Sequence, residues 1–129
     1  MKDKKTTILL VDDDPDALIL VGARLRAAGY EVITAEDGEE ALEKVRRETP
    51  ALLVLDINMP KINGFEVCRI LKSDPSTRSI PIIFFTAKSQ KEDKIKQGTM
   101  GAQAYIIKPF DPKILLSIIN NLLSGTSEV

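Results

Sequence analysis

Three apolar runs constrain this chain most: Ile-Leu-Leu-Val at 8–11, Leu-Leu-Val-Leu at 52–55 and Ile-Ile-Phe-Phe at 82–85, each stopped by a polar residue. Four apolar residues in a row, without alternation, read as a short strand buried on both faces, the kind that builds parallel sheets. A similar run at 104–107 ends at Lys108, and the alternating segment 31–35 reads as an edge strand. Helical spacing fills the gaps between these strands. Leu18, Val21, Leu25 and Ala28 share a face of one helix, with Asp14 as its cap, Pro15 at its first position and Gly29 as its stop. Asp37-Gly38 opens a charged helix with Ala41, Leu42 and Val45 inward, closing near Thr49-Pro50.

A third helix is expected from Phe65 to about Ser73, followed by a turn-rich connection over 74–81. A fourth, polar and weakly amphipathic, covers about 88–97, with Gly98 and Gly101 beyond it. The last has Asp111 as cap, Pro112 at its first position, and a wide apolar stripe of Ile114, Leu115, Ile118, Ile119, Leu122 and Leu123. Five such β–α units predict an α/β fold, a five-stranded parallel sheet with five helices on its two faces.

A chain of 129 residues with 43% apolar content fits one domain with one core. The expected domain covers 6–124, leaving short polar tails at 1–5 and 125–129. No apolar stretch reaches the ~18 residues of a membrane span, and the basic start lacks the longer apolar region of a signal peptide. A cytoplasmic location is therefore expected. Eighteen basic and 19 acidic residues balance to −1, which gives no general electrostatic drive towards nucleic acid or a membrane surface. The single cysteine, Cys68, lies at helical spacing with Phe65 and Leu71 and reads as a small buried hydrophobe. The chain has no histidine, so histidine acid–base chemistry, ligation and phosphorylation are excluded within it.

The strand ends carry the chemistry. Asp12, Asp13 and Asp14 follow the first run and Asp56 ends the third strand. Carboxylates gathered at strand ends repel one another and lose hydration, and a divalent cation resolves both problems. Hard oxygen ligands suit Mg²⁺, or Mn²⁺, and neither histidine nor clustered cysteine is present for zinc. Ligands of open parallel sheets bind beyond the carboxyl ends of the strands, where Thr86 and Lys108 also stand and could hold an anion beside the metal. Asp56 could then be a ligand or a nucleophile, since carboxylates form aspartyl phosphates in phosphoryl transfer. Taken singly, Asp12 could be a cap, Thr86 a strand-end hydroxyl bonding the backbone, and Tyr105 a packing residue. Together, the acid pair, Asp56 and Lys108 point to a functional cluster.

VDDDP at 11–15, LDINMPKINGFE at 55–66, FFTAK at 84–88 and AYIIKPF at 104–110 resemble the receiver domain of two-component response regulators. The likeness spans about residues 6–124 and rests on four separated motifs in the same order. It implies a flavodoxin-like fold, doubly wound, with strand order 2-1-3-4-5. It further implies that Asp56 accepts the phosphoryl group and that Asp13 binds Mg²⁺ directly. Asp12 would bind mainly through water, and Asn58 through its backbone carbonyl. Thr86 would hydrogen-bond the phosphoryl group, Lys108 would pair with it, and Tyr105 would change rotamer as Thr86 moves. The Lys108–Pro109 bond would be cis, and Asp14 aligns with no chemical role. Gln103-Ala104, where many members carry acids before the tyrosine, and the segment 97–101 depart from the family pattern.

The resemblance implies a phosphorylation-dependent switch rather than an enzyme, acting only in its own phosphorylation and in slow autodephosphorylation. The output surface would combine the helix at 88–97, the fifth strand and the last helix. The donor would be a histidine kinase, a histidine phosphotransfer protein or a small acyl phosphate, and the output partner an effector protein or domain. Direct nucleic-acid binding by this chain is not expected; the chain ends soon after its last helix without an effector domain, and is expected to be either a stand-alone receiver or a fragment of a longer regulator. Two other classes compete. A Mg²⁺-dependent phosphatase with an aspartate nucleophile would need a general acid, commonly two residues later, where this chain has Asn58. A degenerate receiver serving only as a binding surface would have lost the acceptor, acid pair or lysine, and all are present.

Overall fold

The computed structural model describes residues 6–87, 103–108 and 111–124, with the backbone alone at 86, 87 and 108. Its five strands are β1 (Thr7–Val11), β2 (Glu31–Ala35), β3 (Leu52–Asp56), β4 (Ile82–Ala87) and β5 (Ala104–Lys108). They form one parallel sheet in the order β2-β1-β3-β4-β5. The apolar runs occupy the three central strands, β1, β3 and β4, whose residues 8–11, 52–55 and 82–85 are essentially inaccessible to solvent. The alternating segment 31–35 is the β2 edge, as its pattern predicts.

Four helices lie among the described residues: α1 (Pro15–Ala27), α2 (Gly38–Glu48), α3 (Gly64–Lys72) and α4 (Pro112–Ser124). Successive strand residues point to opposite faces, so each strand feeds two cores. Leu9, Val11, Leu53, Leu55, Ile82 and Phe84 meet α2 and α3 on one face. Ile8, Leu10, Leu52, Val54, Ile83 and Phe85 meet α1 and α4 on the other. The sheet is covered on both faces, which is why its three central strands carry no polar alternation. The helix expected at 88–97 and the Lys108–Pro109 peptide lie outside the described residues.

Local signals set the helix ends. Asp14 caps α1 by accepting the Asp16 N–H at 3.0 Å, and Asp37 caps α2 by accepting the Glu40 N–H at 2.8 Å. Asp111 accepts the Lys113 N–H at 2.9 Å at the start of α4. Gly29 leaves α1 at φ +102°, a left-handed value that glycine adopts without a Cβ clash.

Two apolar expectations are corrected. Ala28 is exposed and forms the C-cap of α1, because its N–H already bonds back to Arg24 and Leu25 and the chain turns there; buried Gly22 lies on the inner face instead. Ile114 is 54% exposed while Leu115 and Ile119 are buried and Leu116 packs beside them. The other five residues of the expected stripe, Leu115, Ile118, Ile119, Leu122 and Leu123, do pack in this core, so the departure is confined to the first turn, where Ile114 faces outward and Leu116 packs in its place.

Candidate cation and phosphoryl-acceptor site

The chain leaves β1 for β2 on one side and then crosses to β3 on the other, so strand order reverses between β1 and β3. Pairing of Val11 with Leu55 brings the next residues, Asp12 and Asp56, to the same sheet edge. This is the crevice where open α/β sheets bind ligands.

Three carboxylates meet there. Asp12, Asp13 and Asp56 each place an oxygen within 4.8 Å of the others. Asp12 is 1% and Asp56 4% exposed, whereas Asp13 is open to solvent. Negative charge this concentrated, with two members out of water, costs free energy unless something positive joins it. The donor set consists of hard oxygens, and Cys68 sits away from it in the core under α3. The residues present therefore fit a hard divalent cation such as Mg²⁺.

Backbone amides orient the acids. The Asp14 N–H donates to Asp12 Oδ1 at 2.9 Å, so the entry into α1 turns Asp12 inward. Asp12 N–H in turn donates to Ala35 O at 3.1 Å, tying the end of β1 to β2. The Asn58 N–H donates to Asp56 Oδ1 at 3.2 Å, which sets the rotation of the central carboxylate. Of the consecutive acids, the first is buried, the second presents its charge at the rim, and the third caps the helix.

The loop 57–63 wraps the site. Ile57 O accepts from both the Met59 N–H (3.2 Å) and the Gly64 N–H (2.9 Å), and Ile57 N–H donates to Phe85 O at 3.2 Å. Lys61 turns the chain at φ +66°. Asn63 and Glu66 form a reciprocal capping box at the start of α3. Phe65 meets Phe84 edge-on with ring centroids 5.2 Å apart, which fixes that first turn against β4. At Gly64 an added Cβ would lie 2.4 Å from Asp56 O, so only glycine lets α3 start against the acceptor strand.

Asn58 is exposed on this loop, beside Asp56. Thr86 stands on β4 opposite Ile107, and Lys108 on β5 opposite Ala87; their side chains lie outside the described residues. Tyr105 pairs with Phe84 in register and is half-buried against the α2–α3 core. Sequence reasoning missed the capping box and the close approach at Gly64. The first is readable from the Asn-x-x-Glu spacing at 63–66, whereas the second depends on which strand the loop folds back on.

A five-stranded doubly wound sheet with an acid cluster at its switch point defines a class, and the comparisons identify the family. Residues 8–120 match the family model of the response regulator receiver domain, and the chain belongs to that family of two-component signalling domains. A probable transcriptional regulator, ycf27, of Pyropia yezoensis is 41% identical over 129 residues, 100% of this chain and 52% of the relative. The chain thus spans about half the length of such relatives. Protein PilH of Pseudomonas aeruginosa is 40% identical over 118 residues, 92% of this chain and 98% of that protein. The crystal structure of a putative response regulator from Chloroflexus aurantiacus superposes with a TM-score of 0.90 at 37% identity, covering 94% of this chain and 99% of that one.

Proposed function

We propose that this domain is a switch set by phosphorylation of Asp56. The observation that carries the reading is the meeting of Asp12, Asp13 and Asp56 within 4.8 Å at the β1–β3 switch point. Asp56 ends the central strand and is held by the Asn58 amide, so its carboxylate is positioned before any donor arrives. Mg²⁺ held by Asp12, Asp13, Asp56 and the Asn58 carbonyl would neutralise charge on the acids and on the incoming phosphoryl oxygens.

In the transfer, an Asp56 carboxylate oxygen bonds to phosphorus. The donor's bond to phosphorus breaks, and its electron pair leaves with the donor, as acetate when acetyl phosphate is used. No proton is gained or lost in that exchange of one acyl phosphate for another. Lys108 then balances the added charge and Thr86 hydrogen-bonds a phosphoryl oxygen. Tyr105 responds to the movement of Thr86. With no histidine of its own, the chain takes its phosphoryl group from a histidine kinase, a histidine phosphotransfer protein or an acyl phosphate. The output passes through the segment 88–97, β5 and α4 to an effector. Beyond self-phosphorylation and slow autodephosphorylation it catalyses nothing.

Incubation with acetyl phosphate and Mg²⁺ tests this reading by mass spectrometry. One phosphoryl mass should appear, vanish on chelation and be absent in Asp56→Asn, whose amide keeps the shape but not the nucleophilic charge. A mass gain that persists in Asp56→Asn would assign the acceptor to another residue.

A further inference from the structure

We infer that Gly38, at the first position of α2, is a positioning residue for the cation site, an inference that rests on the reading of Asp12, Asp13 and Asp56 as Mg²⁺ ligands. Gly38 is buried, and a Cβ built on it would lie 2.8 Å from Ile62 O, 3.0 Å from Ile62 Cβ and 3.0 Å from Val67 Cγ2. The nearest of these is a backbone atom, which cannot swing aside as a side chain can. The start of α2 therefore sits directly against the backbone of the loop 57–63.

That loop has little room to absorb a push. Ile62 is half-buried against the α2–α3 core, and Lys61 turns the chain at φ +66° immediately before it. The ends of the loop are closed on each other, since Ile57 O accepts from both the Met59 and Gly64 N–H groups. Its far end is blocked as well, because Gly64 already lies against Asp56 O and the Ile57 Cα. A displacement at Ile62 is thus passed round a short closed ring to Asn58. Asn58 supplies the amide that orients Asp56, and its carbonyl is the proposed backbone ligand. Helix propensity runs the other way, since alanine is a better helix former than glycine. A loss on replacing Gly38 by alanine then reports the contact and not the helix.

Calorimetric Mg²⁺ titration of the wild type, Gly38→Ala and Gly22→Ala tests this, with melting curves in chelator to show that each is folded. Gly22 is the control, because a Cβ there meets Arg26 Nη1 at 3.4 Å and Val32 Cγ1 at 3.9 Å, ordinary contacts. Gly38→Ala should weaken the Mg²⁺ Kd about tenfold, the lower range for losing support behind a ligand, and Gly22→Ala less than about twofold. An unchanged Kd in folded Gly38→Ala overturns the inference even if its melting temperature falls, since Gly38 would then be a packing residue only. If Gly38→Ala does not fold, the Gly38→Ala/Val67→Ala pair, which removes the Val67 Cγ2 obstacle but leaves Ile62 O and Cβ in place, should fold and still bind weakly. Wild-type affinity in that pair, or its failure to fold, overturns the positioning role. A wild type that binds no Mg²⁺ removes the cation reading itself, before any variant is compared.

Discussion

Asp13 and Asp56 carry the same charge but meet different surroundings, one at the solvent rim and one 4% exposed at the end of a central strand. A cation that binds only the folded state stabilises it by RT ln(1 + [L]/Kd), ~2.7 kcal/mol at a hundredfold excess over Kd. Millimolar Mg²⁺ should accordingly raise the melting temperature of the wild type and raise it far less in Asp13→Ala. An equal response from both proteins would take Asp13 out of the site. Cys68 is the converse case, a group whose burial opposes its charge. Burial pushes its thiol up to about 11, with Lys72 nearby acting against that in a lesser degree. The stability that comes from keeping this thiol neutral is fully present below the ordinary thiol range, about 9, and is lost as pH rises towards about 11. Urea titrations from pH 8 to 10.5 should show a falling midpoint that Cys68→Val flattens, and iodoacetamide should leave native Cys68 unmodified at pH 8.

Each of the four helices among the described residues is held at its start by side chains written into the adjacent sequence. Asp14, Asp37, Asn63 and Asp111 each accept a backbone N–H two or three residues on. The Asn63–Glu66 box matters most for function, because α3 starts where the loop 57–63 returns to the acceptor strand. Asn63→Ala should cost about 1 kcal/mol in urea unfolding, the usual loss for an N-cap. It should cost more Mg²⁺ affinity than an equally destabilising change far from the site; a purely global effect would make the two variants bind alike. Lys72 anchors the other end of α3, donating to Arg78 O at 3.0 Å and Ile80 O at 2.9 Å. Those bonds close the connection 74–80 before β4 begins and so set the strand on which Thr86 stands.

For the molecule as a whole, the proposal is one of coupling between the sheet edge and a distant face. Shifting a two-state equilibrium from 1:99 to 99:1 takes ~5.5 kcal/mol of differential interaction, within reach of a few charge-assisted hydrogen bonds. Phosphorylation, or a fluoride mimic of it, should change amide exchange mainly across residues 86–107 and along the facing side of α4. Thr86→Ala should accept phosphate yet lose most of that change. Exchange that altered chiefly around 30–50 would move the output to β2 and α2. Half-buried Tyr105, in register with Phe84, stands on the strand that pairs with the one carrying Thr86.

The strands, most helix boundaries, the caps at Asp14 and Asp111, and the helix opening at Asp37-Gly38 were legible in residue order. All of these rest on short-range physics: a period of two or 3.6, or a cap bonding an amide two or three residues on. The strand order 2-1-3-4-5 was implied by family resemblance rather than by any local pattern. Three matters needed the folded chain. Which of three consecutive aspartates turns inward depends on the Asp14 amide and on Asp56 arriving from 44 residues further along. Which apolar residues of the first turn of α4 reach the core depends on the sheet it lands on, so Leu115 is covered and Ile114 is not. Gly38 and Gly64 read locally as a helix opening and a loop residue, and only the approach of Ile62 and Asp56 gives their missing side chains a consequence. Contacts between elements distant in sequence leave no local periodicity, because their cost is felt only once both elements are in place.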